Sequence, residues 1–461
     1  MKRLLPLVVL ALAGCSQGPD YVAPQADVPQ GWSLPYSTAP QGREWWQSFD
    51  DPQISALVVR ALAANADLAA AEASVRAARA LLDKAAGGTW PQVDVSADAS
   101  RSRTPATGTS GTKTKARVAN SFATGFDASW EVDLWGRLDR QVEAAAATAE
   151  ATQAEADGVR LTLIGDVVRN YVELRGYQLR LRVARETMES YADTVALTEA
   201  KFQAGTGSGL DLARAQAQLA SSRADLPPLR AELAVRLHAL GVLTGQHPTA
   251  LAQLLDTQAK VPDMVAAPGL GLPADLVRNR PDIRQAERQL AAATAQIGVA
   301  QADLYPSLTL SGSIGLSSST VGSLLELASR SWSFGPGLVL PLLDGGTRRA
   351  EVDYRRALAE QARETWRSTV LAAMGEVEDN LAAWDQHARR VQALELAVTT
   401  SRAALELAVE LNDKGMSSYL DVLDATRELR SLEAQWAEAQ VQAASDLVVL
   451  YKSLGGGAPV S

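Results

Sequence analysis

Two stretches of the chain keep the same residue spacing every seven positions, and no other feature restricts the fold so tightly. Val167, Leu174, Leu181, Met188, Val195 and Phe202 follow one another at that interval. Val377, Trp384, Val391, Val398, Leu405 and, last and polar, Asn412 do the same in the same phase. Ile164 and Tyr171 are answered by Met374 and Leu381. A strict seven-residue repeat belongs to helices packed along a seam of roughly 3.5-residue period. It predicts long helices over 138–203 and 345–412. At about 1.5 Å per residue each is roughly 100 Å long, far more than an ordinary globular domain is wide. The composition agrees, because Ala, Leu, Glu, Arg and Gln favour helix.

The similarity between the two stretches extends to a duplication of the chain. Asn65-Ala66-Asp67-Leu68 opens a helical run that closes near Trp90-Pro91. Arg280-Pro281-Asp282-Ile283 opens a second one that closes at Tyr305-Pro306, with Ala71-Glu72 matching Ala286-Glu287 at the same offset. Each long helix ends in a glycine-containing turn, Gly205–Asp211 and Gly415–Asp421, where Gly followed by Ser reads as C-cap then N-cap. A further helix follows each turn, over 209–245 and 418–454. The first repeat spans 65–245 and the second 280–454, separated by a linker at 246–279 and followed by a tail at 455–461.

Between the short and long helices of each repeat, hydrophobicity alternates residue by residue. Strands are expected at 91–103, 120–134, 306–316 and 331–342. In the second, Phe122, Phe126, Ala128, Trp130, Val132 and Leu134 oppose Asp127, Ser129, Glu131 and Asp133. Segments 104–117 and 317–330 are rich in Thr, Ser and Gly and read as hairpin loops. Alternation with one polar face suits a soluble antiparallel sheet as well as a membrane strand. The strand length is that of a tilted bilayer crossing. Four strands are too few to enclose a lumen, and open edges cannot stand in lipid. A membrane sheet of this kind is therefore one part of a barrel shared between chains, and three chains supply twelve strands. Pro336 falls inside the fourth strand and suggests a bulge there.

The first residues are an address. Lys2 and Arg3 precede an apolar run from Leu4 to Ala13, too short to span a bilayer. Leu12-Ala13-Gly14-Cys15 then resembles a bacterial lipoprotein box, which makes 1–14 a signal peptide and Cys15 the lipidated residue. Cys15 is the sole cysteine, which excludes intrachain disulfides and cysteine zinc sites. No later segment has eighteen consecutive apolar residues, so no transmembrane helix is expected. The net charge of −9 argues against a nucleic-acid partner. His238, His247 and His387 form no metal-binding pattern, and no phosphate loop or nucleophile elbow is present. No cofactor or metal is expected beyond the lipid on Cys15, and no enzyme.

Gly18-Pro19-Asp20-Tyr21, Phe49-Asp50-Asp51-Pro52, Gly271-Leu272-Pro273, Arg280–Arg284 and Leu420–Ala425 together resemble the TolC-like outer-membrane efflux factors. The likeness is to the lipoprotein branch that serves resistance-nodulation-division (RND) pumps (OprM-like, NodT family). The resemblance covers essentially the whole mature chain. It implies a mainly α fold with a membrane β-barrel part: a homotrimer with a 12-stranded barrel and a periplasmic tunnel of coiled helices. Residues 15–64 then form the N-terminal lipidated and equatorial segment, and 246–279 an equatorial linker. The implied function is the exit duct of a tripartite efflux system, linked to a periplasmic adaptor and an inner-membrane RND pump. Asp421 and Asp424 match aspartates that line the periplasmic gate of the family. The simpler alternative is that they are first-turn acids that favour the helix dipole, and the resemblance favours the gate. Gly205, Leu210, Gly415 and Leu420 match the tips that receive the adaptor, and also read as capping and core residues. Ser417 stands where some relatives are basic, so no salt-bridge latch is implied there. A duct for type I protein secretion is one alternative, and a lipid-anchored coiled-coil structural protein is another.

Overall fold

Helices whose apolar residues recur every seven positions are held by packing along the seam, which carries them past interior glycines such as Gly158, Gly165, Gly176 and Gly375 until a capping turn ends them. In the computed structural model, which describes residues 16–34, 44–105, 116–256, 260–262 and 271–456, they do not stop at those glycines. Helix α1 is Pro52–Ala64, α2 Ala66–Gly87, and after two strands α3 runs from Arg137 to Gln203. Its counterpart in the second repeat, α9, runs from Thr347 to Asp413, and both have 67 residues. The short helices α2 and α8 (Pro281–Ala302) have 22 residues each. Between the repeats lie α6 (Ala252–Leu255) and α7 (Pro273–Asn279). The signal peptide, Cys15, most of the 104–117 loop, parts of the 246–279 linker and the end of the tail lie outside the described residues.

One expected helix is two. The segment 209–245 consists of α4 (Gly209–Ala224) and α5 (Leu226–Leu243), broken at Asp225. Pro227 and Pro228 lack the N–H that a continuous helix needs and are tolerated only in the first turn of a new one. The equivalent α10, Tyr419–Ser453, has no proline and runs unbroken for 35 residues.

The four strands β1 (Gln92–Thr104), β2 (Arg117–Val132), β3 (Ser307–Ser318) and β4 (Arg330–Val339) form one antiparallel sheet in the order β1-β2-β3-β4. The ladder passes through Pro336 without a bulge, since Thr309, Leu310 and Ser311 face Gly337, Pro336 and Gly335 one to one. β4 is an edge strand, the place where a missing donor is tolerated. It stops at Val339, short of Pro341. Among the described residues no single helix is long and apolar enough to cross a membrane, a statement that concerns helices and not strands.

The chain forms two compact units. The first combines the sheet, within Ser74–Thr152 and Gln285–Trp366, with the segment up to Gln25. That N-terminal segment is strapped in place. Gln17 N donates to Trp135 O at 2.9 Å. Arg140, its side chain 7% exposed, reaches both Asp20 and Glu143 at 2.6 Å. Tyr21 donates to Glu287 at 2.8 Å, and burial together with that carboxylate pushes its phenol upward. At the foot of the sheet Trp135 donates to Pro306 O at 2.8 Å and stacks on Tyr305.

The second unit holds the core: Ile54 and Leu57 of α1, Ile164, Val167, Tyr171 and Leu174 of α3, Leu251, Leu255, Leu381 and Leu450. Tyr171 donates to Asp51 Oδ2 (2.7 Å) and accepts from Arg175 Nε (3.0 Å). Arg175 donates on to Gln178 (2.8 Å), which donates to Leu255 O (2.8 Å). Asp51 also caps α1 through Gln53 N at 2.9 Å. One buried polar chain thus fastens the N-terminal helix and the linker to the long helix. Along the seven-residue seam, exposure rises from 0% at Val167 and 1% at Leu174 to 48% at Phe202.

Candidate functional site: the helical tips and the two-faced sheet

The two turns that end α3 and α9 are built alike. Gly205 and Gly415 have φ of +74° and +70°, the left-handed region that glycine enters without a Cβ penalty. At the first, Gly205 N donates to Phe202 O and Thr206 N to Lys201 O, each at 3.0 Å. At the second, Gly415 N donates to Asn412 O and Met416 N to Leu411 O, each at 2.9 Å. These bond pairs satisfy carbonyls that a helix end leaves orphaned. Three residues after each glycine a serine starts the next helix. Ser208 Oγ accepts from Leu210 N at 3.1 Å.

The second tip is more tightly closed. Ser418 Oγ accepts from Asp421 N (3.3 Å), while Asp421 Oδ2 accepts from Ser418 N (2.9 Å), a reciprocal capping box. Asp424 points elsewhere and pairs with Arg427 at 3.1 Å, both side chains well exposed. The two aspartates are thus both on the surface of the tip, one engaged with backbone and one with an arginine. The Ser-x-x-Asp spacing signals the capping box in the sequence, whereas the Arg427 partnership and a Lys201 ammonium 4.5 Å from the Tyr419 ring centre do not show there. That cation–π contact joins the first tip to the second. Leu210 and Leu420 are 58% and 45% exposed, beside exposed Phe202 and Met416. Two apolar side chains left open at each of the two turns suit a protein partner.

The sheet has two chemically distinct faces. Val95, Phe126, Ile314 and Trp332 lie side by side in register, followed by the row Val93, Ala128, Gly312 and Phe334. Val95, Phe126, Ile314, Trp332 and Phe334 are 56–78% exposed. The alternate residues are almost all small or polar: Asp94, Asp127, Ser313 and Ser333 form one row, and Ser96 donates to Asp127 at 2.7 Å. An exposed apolar face opposite a polar one is the pattern of a strand between lipid and a wet lumen. Among the described residues no three His, Cys, Asp or Glu side chains come together as a metal site.

A family profile described as "Outer membrane efflux protein" matches residues 57–246 and 272–456. "Nodulation protein T" of Rhizobium leguminosarum bv. trifolii is 35% identical over 456 residues, 98% of this chain and 96% of that protein. The "Solvent efflux pump outer membrane protein SrpC" of Pseudomonas putida is 34% identical, with 100% and 99% covered. The solved structure of the outer-membrane channel OprN superposes with a TM-score of 0.90 at 36% identity, covering 96% of this chain and 99% of that one.

Proposed function

The chain belongs to the outer membrane efflux protein family, and from that premise we propose that it is the exit duct of a tripartite efflux system. Three copies close a 12-stranded barrel in the outer membrane and a helical tunnel in the periplasm. A periplasmic adaptor and an inner-membrane RND pump deliver drugs or other small toxic compounds to it.

One observation carries this reading. The four-stranded sheet exposes a large apolar face and leaves the outer edges of β1 and β4 without strand partners among the described residues. Such edges are untenable in lipid unless other strands cover them. The seam residues that lose cover toward the tips, and the exposed Leu396 and Leu407 on α9, call for neighbouring helices in the same way. Ser16 packs against Gly136 at the foot of the sheet, and a diacylglyceryl group on Cys15 anchors the chain to the membrane.

Asp421 and Asp424 then form the periplasmic gate, six carboxylates around one constriction in the trimer. The adaptor docks on Gly205, Leu210, Gly415 and Leu420 and opens the tips as an iris. The test is single-channel conductance in planar bilayers. The variant Asp421→Asn with Asp424→Asn keeps an acceptor for the Ser418 cap and removes the charges. The wild type is expected to show a small, cation-selective conductance. The variant is expected to lose about fivefold or more of that selectivity, the size of about 1 kcal/mol of coulombic preference. A large conductance indifferent to the substitutions would contradict the gate.

A further inference from the structure

The two faces of the sheet also differ in the sign of their charge. The register assigns every residue of β1 to β4 to one face or the other. On the apolar face the charged residues are Arg101, Arg103 and Arg330, and there is no carboxylate. Asp94, Asp98, Asp127 and Glu131 all fall on the polar face, where Arg117 is the one cation, so that face is net negative and the apolar face net positive. The three arginines are exposed, and none has an ion-pair partner among the described residues.

Their height along the strands is equally selective. Val93, Val95, Ala97 and Ala99 lead up β1 to Arg101 and Arg103, and Phe334 and Trp332 lead up β4 to Arg330. All three stand at the hairpin end, away from the long helices. A lipid-facing arginine is costly at the bilayer midplane and nearly free at the interface. β1 and β4 are the two edges of the sheet. In a barrel closed by three copies, the β4 edge with Arg330 therefore borders the β1 edge with Arg101 and Arg103 of the next copy.

Resting on that three-copy reading, the geometry points to a binding site at each seam for the phosphate groups of an anionic glycolipid of the outer leaflet. Guanidinium forks match phosphate oxygens in pairs. The ligand must also lay acyl chains against the apolar residues directly below the arginines. A lipid meets both demands, and free phosphate meets only the first.

The experiment is native mass spectrometry of the full-length protein in detergent, titrated with diphosphorylated lipid A. The variants are Arg101→Ser, Arg103→Ser and Arg330→Ser, singly and together, and the corresponding lysine substitutions. Each serine substitution is expected to weaken binding about fivefold, while the lysine variants keep most of it. Dephosphorylated lipid A is expected to bind the wild type as weakly as the intact lipid binds the triple variant. Millimolar inorganic phosphate is expected to leave the bound lipid in place. Wild-type affinity in a trimeric triple variant, or equal binding of the dephosphorylated lipid, would overturn the site. Full displacement by inorganic phosphate would show an anion site and overturn the lipid assignment. The same spectra report the number of chains, so a particle that is not a trimer shows the barrel reading itself to be wrong, separately from the arginines.

Discussion

Tyr171→Ala is expected to destabilise the protein by about 3–5 kcal/mol, the range for removing a fully buried aromatic side chain. Tyr171 is 0% exposed and lies at the centre of the polar chain from Asp51 to Leu255. Tyr171→Phe keeps the ring and removes only the hydroxyl. It leaves a half-buried Asp51 oxygen without the hydroxyl that donates to it, at about 1–3 kcal/mol. The same hydroxyl gives an alkaline signature. Burial, reinforced by the hydrogen bond to Asp51, pushes its pKa up to about 12. In the unfolded chain it ionises near 10. The folded state therefore holds the proton more tightly, and this contribution is complete below pH ~10 and lost as pH rises through about 12, a change of roughly 2–3 kcal/mol. Thermal unfolding between pH 9 and 12 should fall more steeply for the wild type than for Tyr171→Phe. Parallel loss in the two proteins would show that Tyr171 is not the group responsible.

Gly315→Val should abolish assembly of the sheet. Gly125 and Gly315 face each other across β2 and β3. A Cβ on Gly315 would sit 2.4 Å from Thr124 O and 2.8 Å from Gly125 Cα, and one on Gly125 would sit 2.7 Å from Ile314 O. These obstacles are backbone atoms, which cannot turn aside as a side chain can. A glycine pair inside a strand marks a close approach of two backbones. We expect the amount of membrane-inserted, heat-modifiable protein to fall by an order of magnitude or more, with the helical signal retained. Wild-type insertion of Gly315→Val would mean that β2 and β3 do not pair in this register.

The long elements were readable because their causes are local and periodic. The equal spacing from Asp67 to Pro91 and from Asp282 to Pro306 foretold two helices of the same length, and the heptads foretold α3 and α9. A single helix over 209–245, expected because one follows each turn, passes over the break at Asp225 that Pro227 and Pro228 announce. Pro336 misled in the opposite direction, because a proline on an edge strand need not interrupt the ladder. At the tips, glycine and serine could be placed from the sequence, since caps depend on neighbours three or four residues away. The partnership of Lys201 with Tyr419 could not, and neither could that of Tyr171 with Asp51, 120 residues apart. Arg280 shows the intermediate case: its motif is visible in the sequence. Its bonds to Glu376 and to Ser453 O, both 2.8 Å, exist only once the helices have met.

The central claim is that the sheet of one chain is completed by two others, and disulfide trapping tests it directly. Cys15 is the sole cysteine of the chain, and under the proposed acylation of its thiol the only free thiols are those introduced. Ser96 or Ser100 on β1 is paired with Ser331 or Ser333 on β4, each replaced by cysteine in turn. Within one chain these strands are separated by β2 and β3, about 14 Å at ~4.8 Å per strand, too far for a disulfide. The account predicts that at one register oxidation yields a covalent species of three chains in membranes, reversed by reductant. A chain that stays monomeric at every register, and runs as a single copy in mild detergent, would contradict it.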